Sequence, residues 1–304
     1  MTDMRHFILL TLLVPLLSNA SLSVQYLYDS PDVQWWPIFE PEQLVGDRSP
    51  SGAITLAQVP FVGSVQRLGD VPTNSHWLEQ LQMPLFIQRQ HQWLRGIGMR
   101  WGQTDDGKLV IDLDPDARWS DGVRISSADL VFSLQQQQRI APINELSSIE
   151  IYSTQRVALS INHQYALAKD IAKLRLLPKH YYNALHASPD ALRWQPEPTS
   201  GPYYVDSINP GRSVVIRRSP AWWAQSRPQF LQRFNIASVR LERIDSDQQW
   251  QALTRGELDW LTFQQDVAIP ALQRHSQRYR MQLWQQPSSQ QPYVILNRHD
   301  DQAE

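Results

Sequence analysis

The chain has 304 residues, with 28 Lys and Arg against 30 Asp and Glu for a formal charge of −2. At 42% hydrophobic and 19% charged it is too apolar for a disordered polymer and long enough for about two domains, and without a basic excess it lacks the electrostatic drive toward nucleic acid or anionic membrane. The absence of cysteine excludes disulfides, thiolate zinc sites, iron–sulfur clusters, cysteine nucleophiles and a lipidated N-terminal cysteine.

Residues 1–20 predict a secretory signal peptide. Arg5 and His6 open it, an apolar run follows from Phe7 to Leu17, and Ser18-Asn19-Ala20 supplies a small-x-Ala cleavage site before Ser21. The run is about eleven residues, well short of the roughly 20 needed to span a bilayer. Export without a lipid anchor points to the periplasm. Tyr26–Ser51, rich in Pro, Trp and acids, predicts an irregular arm in which Trp35-Trp36 act as packing anchors.

Ala53–Val59 predicts a strand stopped by Pro60, and Asn74–Phe86 a helix with Trp77, Leu78, Leu81 and Leu85 at helical spacing. Trp93–Thr104 and Lys108–Leu113 predict paired strands around Asp105-Asp106-Gly107, a turn suited to positive φ. Ser126 with Asp129 three residues on forms a capping box before the apolar positions Leu130, Val131, Phe132 and Leu134. Ile149–Ile161 alternates as a strand, Ala166–Leu185 is helical around Pro178, and the prolines of Arg193–Thr199 mark a hinge or domain crossing. Tyr203–Ile208 and Ser213–Arg218 flank Asn209-Pro210-Gly211-Arg212 as a hairpin. Val239–Ile244 is a strand, Asp247–Gly256 a short helix, Leu258–Phe263 a strand, and Pro292–Asn297 opens one more. Strands and helices mixed without strict βαβ alternation give an α+β or mixed α/β class.

Chemistry-bearing patterns are sparse. Asp112-Leu113-Asp114-Pro115-Asp116 resembles the start of a calcium loop, but Ala117 and Val123 stand where that loop needs Gly and Glu. His180 and His186 do not share a helical face, and neither a Gly-x-Ser-x-Gly elbow nor a Walker loop occurs. Glu257 and Asp259 read as a solvated strand edge rather than an acid–base pair. Nothing argues for an enzyme, a metal or a cofactor.

Three blocks do carry a resemblance. The first is Ile111-Asp112-Leu113 running into Ala117-Arg118-Trp119-Ser120-Asp121-Gly122 and Ser127-Ala128-Asp129-Leu130-Val131-Phe132-Ser133-Leu134. The second is Ser200-Gly201-Pro202-Tyr203, the hairpin to Arg217, and Pro220-Ala221-Trp222-Trp223. The third is Leu253-Thr254-Arg255-Gly256-Glu257-Leu258-Asp259. In this order they resemble the extracellular solute-binding proteins, family 5, of peptide ABC importers, and Leu177-Pro178-Lys179-His180-Tyr181 with Arg233-Phe234-Asn235 is similar to its Yej-type branch.

The resemblance implies a class II periplasmic-binding-protein first lobe with an inserted subdomain. Its expected divisions are a signal peptide at 1–20, an arm and first strand at 21–72, the insertion at 73–198, a return segment at 199–268, and a crossing segment with the start of a second lobe at 269–304. Tyr293-Val294-Ile295-Leu296-Asn297 resembles the first strand of that second lobe, so the expectation is a C-terminally truncated clamp that binds weakly. It implies a monomer that takes an oligopeptide or peptide-like ligand, works with an ABC permease and binds no nucleic acid. By position in the motifs, Asp70, Val71, Phe132, Phe263, Gln264 and Gln265 are the expected ligand-facing residues. The alternatives are a non-transport interaction or sensory module that uses the exposed lobe, or a degenerate gene product.

Overall fold

A computed structural model of the chain describes residues 22–40, 51–57, 64–65, 67, 81–89, 91–140, 143, 145–161, 164–184, 192–231, 233–263, 281–284 and 293–297. The expected signal peptide therefore lies outside the described residues. In chain order the first strands are β1 (Ser23–Tyr26), β2 (Gln34–Trp35), β3 (Ser51–Ala57), β4 (Phe86–Arg89), β5 (Gln92–Arg95), β6 (Gly98–Gln103) and β7 (Leu109–Leu113). Helix α1 (Ser127–Ile140), strands β8 (Leu146–Ile151) and β9 (Arg156–Ile161), and helices α2 (Gln164–Ala172) and α3 (Lys179–Ala184) follow. The remainder is β10 (Tyr203–Asn209), β11 (Ser213–Arg218), β12 (Ile236–Glu242), α4 (Gln249–Thr254), β13 (Trp260–Phe263), β14 (Met281–Trp284) and β15 (Tyr293–Asn297).

Two mixed sheets organise these elements, which is the expected mixed α/β class. A six-stranded sheet runs β1-β8-β9-β7-β6-β2, and a seven-stranded sheet runs β10-β11-β12-β3-β13-β15-β14. The predicted hairpin pairs β10 with β11, Gly211 takes φ +74 in its turn, and β12 joins it in parallel to β3. The first strand and the hairpin thus share one sheet, as the resemblance implies.

The largest core lies under the six-stranded sheet, where Trp101 is the hub. It stacks on Phe86 at 5.0 Å and meets Trp36 and Trp93 edge-on at 4.8 and 5.2 Å, each such pair adding about 0.5–1.5 kcal/mol beyond burial. Trp222 and Phe230, which follow the β10–β11 hairpin in sequence, reach into the same core.

Several sequence expectations need correction. The arm is ordered: β1 pairs with β8 in parallel at one edge of the six-stranded sheet and β2 pairs with β6 at the other. Five interstrand gaps take about 24 Å, and the eight residue steps from Tyr26 to Gln34 reach at most about 29 Å, so this strap has little slack. Trp35 and Trp36 are packing anchors as expected: Trp36 meets Trp101, while Trp35 lies 4.1 Å from the Arg100 guanidinium and 5.4 Å from that of Arg156.

Leu81–Phe86 is not helical, because Pro84 bridges to Arg175 and Phe86 begins β4; the earlier part of that predicted helix lies outside the described residues. The single strand expected over Trp93–Thr104 breaks at Gly96-Ile97, where the backbone turns inward. There the Gly96 N–H donates to the Leu85 carbonyl, and a Cβ would sit 2.1 Å from the Pro84 oxygen. Ile149–Ile161 is a hairpin rather than one strand, since the Ser153 hydroxyl accepts from the Gln155 and Arg156 N–H groups and closes a turn. The capping box forms in part: Asp129 Oδ2 accepts from the Ser126 N–H at 2.9 Å, and Asp129 Oδ1 also caps α3 at the Lys179 N–H.

The would-be calcium acids are ion-paired within the fold. Asp112 lies between Arg100 and Arg156, each 2.7 Å away, and Arg227 bridges Asp114 and Asp116. Burial pushes the Asp112 carboxyl up, but the Arg156 and Arg100 hydrogen bonds overcome it and hold the group below the ordinary carboxylate value. Among the described residues no cluster of three His, Asp or Glu is placed to hold a metal ion.

Candidate ligand-binding rim

Three strand ends meet at one rim of the seven-stranded sheet. β3 and β13 are parallel, with Leu56 opposite Trp260, and β15 runs back antiparallel with Tyr293 opposite Phe263. The carboxyl ends of β3 and β13 and the start of β15 therefore lie together, beside Glu242 at the end of β12, which pairs with Ala57. In open α/β sheets, loops at the carboxyl ends of parallel strands line the ligand crevice.

The Gly-Glu-x-Asp sequence builds this rim. Gly256, at φ +76, ends α4 in a left-handed turn. Leu258 then drops into a small core with Leu253, Ala252 and Leu261. Asp259 pins β13 to β3 twice: its Oδ2 accepts from the Thr55 N–H at 2.6 Å, and its own N–H donates to the Thr55 carbonyl at 3.0 Å. Its expected reading as a solvated edge is thus corrected, whereas Glu257 is exposed.

The chain's two passages between the sheets are stitched together. Gln82 Oε1 accepts from the Ser200 N–H and hydroxyl at 2.8 and 2.9 Å, and the Ser200 hydroxyl oxygen accepts from the Met83 N–H. Gly201 donates to the Leu81 carbonyl, and a Cβ at Gly201 would lie 2.5 Å from that oxygen, so the close approach requires glycine. Trp222 and Trp223 both donate their indole N–H to the Ser200 carbonyl at 3.0 Å. At the centre is Glu197, buried, whose carboxylate accepts from Arg67 Nε, from Gln82 Nε2 at 3.1 Å and from the Tyr182 hydroxyl. Arg67 continues to the carbonyls of Arg175 and Leu176.

Phe263 is the last residue of β13, where the strand predicted over Leu258–Phe263 ends. Asp70, Val71, Gln264 and Gln265 lie outside the described residues. Phe132 is half-buried on α1 and stacks on Tyr182 of α3 at 5.9 Å, in the subdomain of the six-stranded sheet. Sequence reasoning did not find Glu197; its only signal was an acid between two prolines in the crossing segment.

A two-sheet fold with an inserted subdomain and a rim of parallel strand ends defines a lobe of a solute-binding protein. The family model for bacterial extracellular solute-binding proteins, family 5 Middle, matches residues 97–303, and the chain belongs to that family. A probable peptide-binding protein YejA of Agrobacterium fabrum is 24% identical over 169 residues, which cover 51% of this chain and 28% of that protein. Among solved structures, the periplasmic EDTA-binding protein EppA aligns with TM-score 0.64 at 22% identity, over 80% of this chain and 49% of its own. The oligopeptide-binding protein AppA of Bacillus subtilis, in complex with a nonapeptide, aligns with TM-score 0.62 at 12% identity, over 78% and 48%. The chain thus spans about half the length of these solved structures and about a quarter of that of the curated relative.

Proposed function

We propose that this chain forms one wall of a periplasmic oligopeptide-binding protein that serves an ABC permease, with the peptide lying along the rim of β3, β13 and β15. The observation that carries the reading is that parallel β3 and β13 end on the same side of the sheet, at Ala57 and Phe263, where β15 starts with Tyr293 opposite Phe263. In the sequence, Asp70 and Val71 come after β3, and Gln264 and Gln265 directly after β13. An extended peptide gains main-chain hydrogen bonds from strand ends and edges, while open pockets tolerate varied side chains. The kinship with the YejA protein named for peptide binding and with AppA supports this ligand class.

Clamps of this kind draw affinity from two walls, and losing half the contacts costs several kcal/mol, with each 1.4 kcal/mol a factor of ten. These 304 residues should therefore bind peptide in the millimolar range at best, and calorimetry at micromolar concentration should register nothing. Location is tested by photo-cross-linking an oligopeptide with a photoreactive side chain and mapping the adducts by mass spectrometry. Adducts should fall on residues 70–71 and 263–265, with Phe132→Ala testing the remaining expected contact. A map confined to the six-stranded-sheet subdomain, or tight binding by this chain alone, would refute the proposal.

A further inference from the structure

A cavity of about 610 Å³ lies between the arm and the β4–β5 hairpin, in the subdomain of the six-stranded sheet. Trp36 and Phe39 of the arm form one wall, Trp93 of the hairpin the other, and Trp101 the floor. Both walls are held by the backbone: the Trp36 N–H donates to the Trp101 carbonyl at 2.9 Å and the Phe39 N–H to the Trp93 carbonyl at 2.8 Å. The arm can come this close because residue 102 is glycine; a Cβ there would lie 2.3 Å from the Gln34 oxygen and 2.8 Å from the Trp35 Cα. The cavity is therefore preformed. Its arm wall also precedes residue 97, where the family match begins.

We propose that this cavity is a second binding site, for a neutral saccharide. The volume falls within the 300–1,000 Å³ range of ordinary small-molecule sites. None of the nine described residues lining it is Asp, Glu, Lys or Arg. The charged residues next to them in sequence, Glu40 and Arg100, are each ion-paired, Glu40 with Arg95 at 2.9 Å and Arg100 with Asp112 at 2.7 Å. A charged ligand would lose hydration there without a counter-charge, which excludes amino-acid zwitterions and metal chelates. A purely apolar ligand fits no better, because His91, Gln92 and Gln103 bring polar groups to the lining. Side-chain amides and imidazole each combine donor and acceptor capacity, as sugar hydroxyls do. A pyranose offers such hydroxyls around its edge and flat C–H faces for the rings of Trp36, Phe39 and Trp93. Phe39 is 41% exposed, so its ring is accessible to a ligand.

The test uses the whole chain with chitobiose, cellobiose and maltose as probes, read by tryptophan fluorescence because three indoles line the cavity. At least one sugar should give a saturable change with a millimolar dissociation constant. Phe39→Ala and Gln92→Ala, both at exposed positions, should weaken it at least tenfold while leaving the urea-unfolding midpoint at the parent value. No saturable response to any of the three sugars would overturn the proposal. So would a sugar affinity that both substitutions leave unchanged, or a response to an uncharged proline-rich peptide in place of the sugars.

Discussion

Replacing Glu197 by glutamine should destabilise the protein more than any comparable surface change, because it removes a charge at the junction of the two chain passages. The carboxylate side chain is 4% exposed and that of its partner Arg67 is 12% exposed. Three donors converge on the carboxylate, from Arg67, Gln82 and Tyr182. Glutamine keeps a single carbonyl oxygen and turns an NH₂ toward donors that need acceptors. Losing two of these hydrogen bonds costs about 1–3 kcal/mol, and removing one partner of a buried ion pair costs about 3–5 kcal/mol. Arg67 keeps two carbonyl acceptors, at Arg175 and Leu176, which places the expected loss near the low end, about 3 kcal/mol. Equilibrium urea unfolding followed by tryptophan fluorescence measures it. With a slope of about 3 kcal/mol/M, the midpoint should fall by about 1 M with the slope unchanged. Glu257→Gln, at an exposed position, should stay within about 0.5 kcal/mol of the parent. If Glu197→Gln also stays within that margin, the junction is not held by this carboxylate and the reasoning fails.

Two further outcomes follow from the same contacts. Gly102→Ala should push the arm off the β6 edge, because the new methyl would overlap the Gln34 oxygen, and limited proteolysis should then cut within residues 27–33 faster than in the parent. Asp112 supplies a pH dependence: its folded-state pKa is lowered, so its stabilising effect is present above the ordinary value of 3.8 and is lost as pH falls through the lower folded value. Asp112→Asn should therefore destabilise the protein at neutral pH and flatten the acid limb of its stability profile below pH 4 or so, as read by urea midpoints across that range.

Local chemistry was legible wherever a few consecutive residues decide the backbone. The Asn209-Pro210-Gly211-Arg212 turn, the Asp105-Asp106-Gly107 turn with Gly107 at φ +85, and the stop at Gly256 all stand where their residue types require positive φ or a fixed one. The family was legible for the same reason: its motifs are short runs whose side chains cap, turn or pin their neighbours, as Asp259 pins Thr55 and Ser200 ties Gln82. Of the expected ligand residues, Phe263 was found as a strand end because the strand preceding it has its own signal.

Long-range pairing was not legible. Ser23–Tyr26 and Gln34–Trp35 carry too few apolar residues to announce strands, and they become strands only because β8 and β6 offer unpaired edges more than 60 residues away. The break at Gly96-Ile97 and the turn inside Ile149–Ile161 interrupt alternating apolar runs that read as continuous, because alternation records which face is buried and not where the chain reverses. Composition likewise gave no hint that Glu197 would gather an arginine, a glutamine and a tyrosine from three separate segments. The sequence by itself determined the turns, the caps and the family. Tertiary packing alone decided which strands became neighbours, where the rim lies and which polar groups had to be satisfied when water was removed, since each depends on partners distant in the chain.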